Sequence, residues 1–391
     1  MKRKVYLDNS STTPVDSKVL DVMLPYLSEN YGNPSSLHEL GRINKNAIEN
    51  SRIKISKIIN CGVGEIIFTS GGTEANNLAI FGIARANKNK GKHIIVSSIE
   101  HKSILDVCKV LEKEGFEIDC LDVDKNGLVK LEMLKSKIRK DTILVSVMHA
   151  NNEIGSIQSI KKISKIIKIK NSNIIFHTDA CQAVGALSVD VKNLGVDAMT
   201  VSASKIYGPK GIGVLYISNR VKIESMIVGG GQERGFRSGT ENVASIVGLA
   251  EALEICEKKR KTESERLELI RNYFISQIKN KIKEVVINGG VKNRLPNNVN
   301  FSIKGVEGES LLLMLDDKGI YCSTGSACSA INLEPSYVLL KIGLPLDLAH
   351  CSIRFTLGRY TKKSDIDYTI KVLVESVNKI RSMSSVKYDK Q

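Results

Sequence analysis

Lys205 ends the stretch Ser202-Ala-Ser-Lys205, directly after the apolar run Ala198–Val201, and Ile-Tyr-Gly-Pro-Lys-Gly follows it. A lysine at a strand end, fixed by a Gly-Pro turn, can act as a neutral amine and form a Schiff base with an aldehyde; on a solvated loop it is an ordinary cation. Ser202 and Ser204 offer hydroxyls to a phosphate. Similar placements recur upstream. After Glu65–Thr69 comes Ser70-Gly-Gly-Thr-Glu-Ala-Asn-Asn77, where glycines permit close backbone approach and Thr73 is placed to cap the next helix. Such a helix start binds phosphate or is plainly capped. After His93–Ser97 comes Ser98-Ile-Glu-His101-Lys102, with an imidazole that is either structural or catalytic. After Thr142–Met148 comes His149-Ala-Asn-Asn-Glu-Ile-Gly155. Its amides and carboxylate must be satisfied by a polar ligand or by their own loop. After Asn173–Phe176 comes His177-Thr-Asp179-Ala-Cys-Gln182, whose Asp179 could hold a cation or pair with backbone. Near the other end, Tyr321-Cys-Ser-Thr-Gly-Ser-Ala-Cys-Ser-Ala330 carries two thiols among turn-forming residues.

A Schiff-base lysine, an anion, an aromatic histidine and a phosphate cradle are the parts a protein supplies to pyridoxal phosphate. Their order along the chain makes a stronger case than any one of them.

The elements that must position these groups follow from the apolar runs. Strands are expected at Glu65–Thr69, His93–Ser97, Thr142–Met148, Asn173–Thr178, Ala198–Ser202 and Gly213–Ser218. Helix-length segments such as Ser103–Glu114, closed by Gly115, and Ile160–Ile169 lie between them. Alternating strand and helix predicts an α/β fold with a mainly parallel, doubly covered sheet. Lys205–Gly211 is too short for a parallel crossover, so the last two strands are expected to run antiparallel. A long helix, about Val243 to Lys283, leads to a smaller α+β domain. The division expected is a large domain, residues 13–258, and a small one made of residues 1–12 and 259–391.

Other features exclude alternatives. The start of a calcium loop at Asp122-Val-Asp-Lys-Asn-Gly127 has Met133 where a bidentate glutamate is needed, and reads as a turn. Gly229-Gly-Gly-Gln-Glu-Arg-Gly235 has the wrong spacing for a dinucleotide fingerprint. The eight cysteines are scattered, without a C-x-x-C, which fits a reducing cytoplasm and no metal site. No apolar run is long enough to span a membrane. Net charge is +15, and the lysine clusters at Lys161–Lys170, Lys135–Lys140 and Lys258–Lys261 read as solvated helix faces. With no Trp and no nucleic-acid-binding motif, direct nucleic-acid binding is not expected, whereas acidic protein partners are compatible.

The chain resembles the cysteine desulfurases of the nitrogen-fixation and iron–sulfur-assembly type, within the class V aminotransferase superfamily. The resemblance runs almost end to end. It is carried by Tyr6-Leu-Asp-Asn-Ser-Ser-Thr-Thr-Pro14, Gly32-Asn-Pro-Ser-Ser-Leu-His38, Ser70–Asn77, Glu100-His-Lys102, His149–Gly155 and His177-Thr-Asp179. It continues through Lys205–Gly211, Arg237-Ser-Gly-Thr-Glu-Asn242, Ser326-Ala-Cys-Ser329 and Ser352-Ile-Arg-Phe-Thr-Leu-Gly-Arg359. It implies a fold-type-I pyridoxal-phosphate-dependent transferase that is a cytoplasmic homodimer. Lys205 would hold the cofactor, His101 would stack on its ring and assist proton transfer, and Asp179 would pair with the ring nitrogen. Gln182 and Asn152 would lie near the phenolic oxygen. Gly72, Thr73, Ser202 and Ser204 would hold the phosphate, with Thr240 reaching in from the other subunit. Arg354 would clamp the carboxylate of L-cysteine, with Asn33 and Asn152 nearby. Cys328 would attack the substrate sulfur, carry it as a persulfide and pass it to an iron–sulfur scaffold or another acceptor protein, touching a cluster there at most transiently. Cys322 is expected to be structural and buried. Ser204 stands where many members carry histidine, and Cys181 where others carry a small or β-branched residue. A selenocysteine lyase or another class V enzyme is the alternative.

Overall fold

The computed structural model describes residues 3–324 and 335–383. Its strands, in chain order, are β1 (Val5–Tyr6), β2 (Ile66–Thr69), β3 (His93–Ser97), β4 (Glu117–Leu121), β5 (Thr142–Ser146) and β6 (Ile175–Asp179). They continue with β7 (Ala198–Ser202), β8 (Gly213–Ile217), β9 (Val285–Ile287), β10 (Asn298–Ile303), β11 (Ile320–Tyr321) and β12 (Ser352–Thr356).

The large sheet has the order β2-β8-β7-β6-β5-β3-β4. All its neighbours pair in parallel except β8, which runs antiparallel to both β2 and β7. The short link before Gly213 therefore closes a hairpin, as the spacing predicts. Every residue of β2, β3, β5, β6, β7 and β8 is buried, as a sheet covered on both faces requires. β4 is absent from the sequence-based strand list. It lies at the sheet's edge, and its Glu117 and Cys120 are exposed, so it shows no continuous apolar run.

Gly213 pairs with both Thr69 and Ser202, which sets the carboxyl ends of β2 and β7 level. A Cβ at Gly213 would lie 2.7 Å from the Gly71 carbonyl carbon and 2.9 Å from the Val201 oxygen. No side chain fits at that junction.

Helices cover both faces. The Ile160–Lys170 helix buries Ile160, Ile163 and Ile167, while Lys168 on its outer side pairs with Asp197. In the long helix Val243–Lys281, Lys258 and Arg260 pair with Glu254 and Glu257. These lysine runs are solvated faces, as read from their spacing. Asp124 accepts from the backbone of Asn126 and Leu128, so the false calcium loop is a local turn.

The long helix spans two apolar cores. Its first turns, to Cys256, pack with the large sheet. Phe274, Ile275 and Ile278 join a second core with Val5, Leu7, Phe301 and Phe355. There Phe274 meets Phe355 edge-on at 5.2 Å, and Phe301 stacks on Phe355 at 5.6 Å. The sheets of this second core are β12-β10-β9, antiparallel, and β1-β11, parallel.

One buried ion pair ties a strained turn to the large sheet. Arg52 and Glu233 are 3% and 6% exposed and form two bonds of 2.7 and 2.9 Å. Glu233 also accepts from Phe68 N, and Arg52 donates to Ile66 O. Glu233 and its neighbour Arg234 both have positive φ, 46° and 58°, which side-chain-bearing residues rarely adopt.

Candidate active site

The carboxyl ends of β2, β3, β5, β6 and β7 open on one cavity of 580 Å³, where ligands of open α/β sheets are expected. At one end is the start of the helix Gly72–Asn87. Its cap is Gly71, with no side-chain bond to the first turn, so the backbone N–H groups there remain available to a ligand. Thr73, expected as the cap, lies inside the first turn. Gly71 takes the cap position instead because its φ of 149° suits glycine. A Cβ at Gly72 would sit 2.8 Å from Cys181 Sγ, so that position too admits only glycine without displacement. Ser202 and Ser204 face each other with hydroxyls 3.1 Å apart. Glu74 is held by Arg237, 2.9 Å away, and by Ser70 N. These groups suit a phosphate: free N–H donors, two hydroxyls and an acid already balanced by a cation.

Asp179 ends β6, 6% exposed, and lines the cavity. Its Oδ1 accepts from Cys181 N at 2.9 Å and its Oδ2 from Asn76 Nδ2 at 2.7 Å. Backbone pairing and ligand-facing placement, alternatives in the sequence, both hold. Asn76 also donates to Ser103 Oγ, which bonds His101 Nδ1 at 2.8 Å. His101 caps the helix Lys102–Lys113 by accepting from Ser103 N. One polar chain thus orients Asp179 and His101 together. Asn76 is not among the residues assigned a role from sequence; its position one turn after Gly72 was the available signal.

Lys205 lies in the tight turn Ala203–Lys205 after β7, and its Nζ donates to Ser11 O. Gln182 Nε2 donates to Ser10 O at 3.0 Å. Arg354, in the middle of β12, donates through Nη2 to Asp8 Oδ1 and Ser11 Oγ, both at 2.9 Å, and through Nη1 to Asn152 O at 3.1 Å. Its Nε–H is buried without an acceptor among the described residues, a demand that a bound carboxylate would meet. Asp8, Ser10 and Ser11 were quoted in the sequence only as part of a motif. Their partners Gln182, Lys205 and Arg354 lie 172 to 346 positions away, and only folding reveals them.

In the loop after β5, Asn151 serves the loop itself, accepting from Glu153 N and Ile154 N, while Asn152 lines the cavity. Glu153 also lines it and accepts from Ser336 Oγ. Tyr337 OH donates to Glu100 O. Cys181 is buried in the cavity wall, and burial holds its thiol well above the usual range.

Not every expected residue reaches the cavity of its own chain. Asn33 is exposed and its Oδ1 accepts from Ser35 N. Thr240 is exposed on the loop preceding the long helix. Cys322, expected to be buried, is only partly so, because it packs against the edge of the second core. Cys328 lies outside the described residues. Among the described residues, no cluster of side chains suits a metal ion and no helix is long and apolar enough to cross a membrane.

Beneath the cavity, burial pushes Glu100 up to about 8 although Ser97 Oγ and Met148 N donate to its Oε1. A carboxyl raised above its usual 4.5 stabilises the fold fully at low pH and loses that contribution as pH climbs through 8. Glu100→Gln is therefore expected to gain stability relative to the native chain with rising pH, by up to about 1.4 kcal/mol per unit. Denaturant unfolding at about pH 5 and 8 reads this directly, and a pH-independent difference would refute it. His177, bonded to Ser146 and Thr200 and lowered by burial to about 4, acts in the opposite sense and loses stability as pH falls below its usual 6.5.

A family model for the class-V aminotransferases matches residues 5–369. The chain belongs to that family, and its fold is the one expected for fold-type-I enzymes. It is 53% identical over 389 residues to the cysteine desulfurase IscS of Dictyoglomus turgidum, covering 100% of this chain and 98% of that one. It is 50% identical over 379 residues to cysteine desulfurase IscS 1 of Archaeoglobus fulgidus, covering 97% and 98%. Among solved structures, a NifS-like protein superposes with a TM-score of 0.91 at 36% identity, covering 96% of this chain and 100% of that one. SspA in complex with cysteine gives 0.80 at 34%, covering 92% and 100%. Within the class-V family the chain belongs to the cysteine desulfurases.

Proposed function

We propose that the cavity holds pyridoxal 5'-phosphate and that Cys328 takes the sulfur of L-cysteine as a persulfide, releasing L-alanine. The observation that carries this is the convergence of Lys205, Asp179, His101 and Arg354 on one cavity with a phosphate-suited helix start at its end. Bound there, the cofactor would supply an aldehyde carbon that captures amines and a ring that withdraws electrons.

The chain's own groups divide the rest. Lys205 Nζ would hold the cofactor, and its amine would serve as the base for the substrate's α-proton. Asp179, fixed by Asn76 and Cys181 N, would offer its carboxylate to the cofactor's ring nitrogen. His101, oriented through Ser103, would pack against the cofactor and assist proton transfer. Gly72, Thr73, Ser202 and Ser204 would hold the phosphate, and Gln182 and Asn152 would supply polar groups to the cofactor's phenolic oxygen. Arg354 binds the substrate carboxylate. The Cys328 thiolate forms an S–S bond with the substrate sulfur as the carbon–sulfur bond breaks, and alanine gains a proton at the carbon that lost sulfur. An acceptor protein's thiol, such as that of an iron–sulfur scaffold, then takes the outer sulfur.

A cytoplasmic homodimer, with Thr240 of each copy serving the other's phosphate, completes the reading. Thr240's exposure supports it, as do the exposed apolar residues Leu27, Tyr31, Leu37 and Val228. A division into residues 13–258 and residues 1–12 with 259–391 is supported by the two separate cores along the long helix.

With L-cysteine and a reductant, the native chain is expected to form sulfide and alanine in equal amounts, and Cys328→Ser little of either. Equal rates from the two proteins would remove Cys328 from the mechanism.

A further inference from the structure

With substrate bound, three carboxylates would crowd one guanidinium. Asp8 already occupies Arg354 Nη2. Glu153 lines the same cavity, and Arg354 donates to the backbone oxygen of its neighbour Asn152. The third would be the substrate's own.

Glu153 cannot easily withdraw. Its carbonyl oxygen accepts from Asn298 and Asn300 Nδ2, both at 3.0 Å, which joins its loop to β10. Two residues on, Gly155 has φ 70°, and a Cβ there would lie 2.7 Å from Asn298. The carboxyl is buried and bonded to Ser336 Oγ, at the cap of the helix Tyr337–Lys341. A serine hydroxyl donates to a carboxylate and accepts from a carboxylic acid equally well, so this partner tolerates both protonation states. The charges acting on Glu153 are Arg354 on β12, and His101 and Lys102 at the head of their helix. Asp8 stands behind Arg354, and the buried Glu100 lies beyond Tyr337.

We propose that Glu153 is a positioning residue that must be neutral for Arg354 to accept the substrate carboxylate, so that substrate binding takes up a proton at Glu153. The inference rests on Arg354 as the receptor of that carboxylate. Burial raises Glu153 to about 7 even though the Ser336 hydroxyl and the charge of Arg354 both pull it down. An incoming carboxylate cancels that pull and adds a like charge, which drives the proton on.

The test is competitive inhibition of the cofactor-loaded enzyme by propionate, a carboxylate with neither amine nor thiol, between about pH 6.5 and 8.5. In the native chain the inhibition constant is expected to climb toward tenfold per pH unit above about 7. In Glu153→Gln the climb should be shallower by that factor, which separates Glu153 from any other group titrating in the cavity. Arg354→Lys should weaken propionate at every pH. Equal slopes for the native chain and Glu153→Gln would overturn the inference while leaving Arg354 its role; propionate indifferent to Arg354→Lys would overturn both. Calorimetry of the native chain alone, in buffers of different ionisation heat, should show uptake approaching one proton per propionate bound near pH 8. No uptake there refutes the proposal even if Glu153→Gln does not fold.

Discussion

Lys205→Ala is expected to lower alanine formation from L-cysteine by about 10³- to 10⁴-fold or more, because one substitution removes both the covalent anchor of the cofactor and the acceptor of the α-proton. The loss should not come from unfolding. The side chain lines a cavity and its Nζ donates to a backbone carbonyl, Ser11 O. The fold also supplies its own control. Lys210 lines the same cavity and donates to Thr13 O at 3.1 Å, yet no role in the chemistry is proposed for it. Lys210→Ala should retain most of the activity and the visible absorbance of covalently held cofactor after gel filtration, both of which Lys205→Ala loses. If the two variants lose activity equally, the assignment of Lys205 fails.

Arg52→Ala is expected to give the largest loss of stability, about 3–5 kcal/mol. The substitution removes both guanidinium bonds from the buried Glu233, leaving Phe68 N as its remaining hydrogen-bond donor among the described residues, and takes one of the two arginine donors from Ile66 O, which keeps Arg234. It also frees a turn that Glu233 and Arg234 hold at positive φ. Replacing both partners, as Arg52→Met with Glu233→Met, removes the uncompensated charge and should recover part of the loss, because two apolar groups bury more cheaply than one lone anion. Denaturant unfolding of the native chain, the single variant and the pair decides this. A loss below about 1 kcal/mol for Arg52→Ala would mean that water reaches Glu233 and screens it.

How far the sequence led differs between the sheet and the site, for physical reasons. Strands buried on both faces are continuous apolar runs, and β3, β5, β6, β7 and β8 were all legible on that basis. β4 was not, because an edge strand with exposed Glu117 and Cys120 mixes its faces. That Lys205, Asp179 and His101 share one cavity was legible because strand ends are where a parallel sheet presents ligand-binding groups. The partners that orient them were not. The bond between Asn76 and Asp179 joins a helix to a strand end, that between Asp8 and Arg354 joins β1's extension to β12, and Glu153 meets Ser336 from another part of the chain. No periodicity records such meetings. Thr73 shows the converse error: a residue of the right type for a cap sits two positions past the true one, because Gly71 alone suits the backbone angle there.

The pairing of Gly213 with Thr69 and of Val5 with Ile320 also governs how the protein can be made. A chain emerging from the ribosome N-terminus first releases β2 long before β8, and β1 long before β11. Until those late strands arrive, β2 lacks its partner and the apolar residues Val5 and Leu7 lack their core, so the nascent chain exposes sticky edges for most of its synthesis. Arg354 and Ser336, which complete the cavity wall, come later still. A chain whose translation stops early therefore has no complete cavity, and handling of cysteine sulfur begins only when synthesis is nearly done.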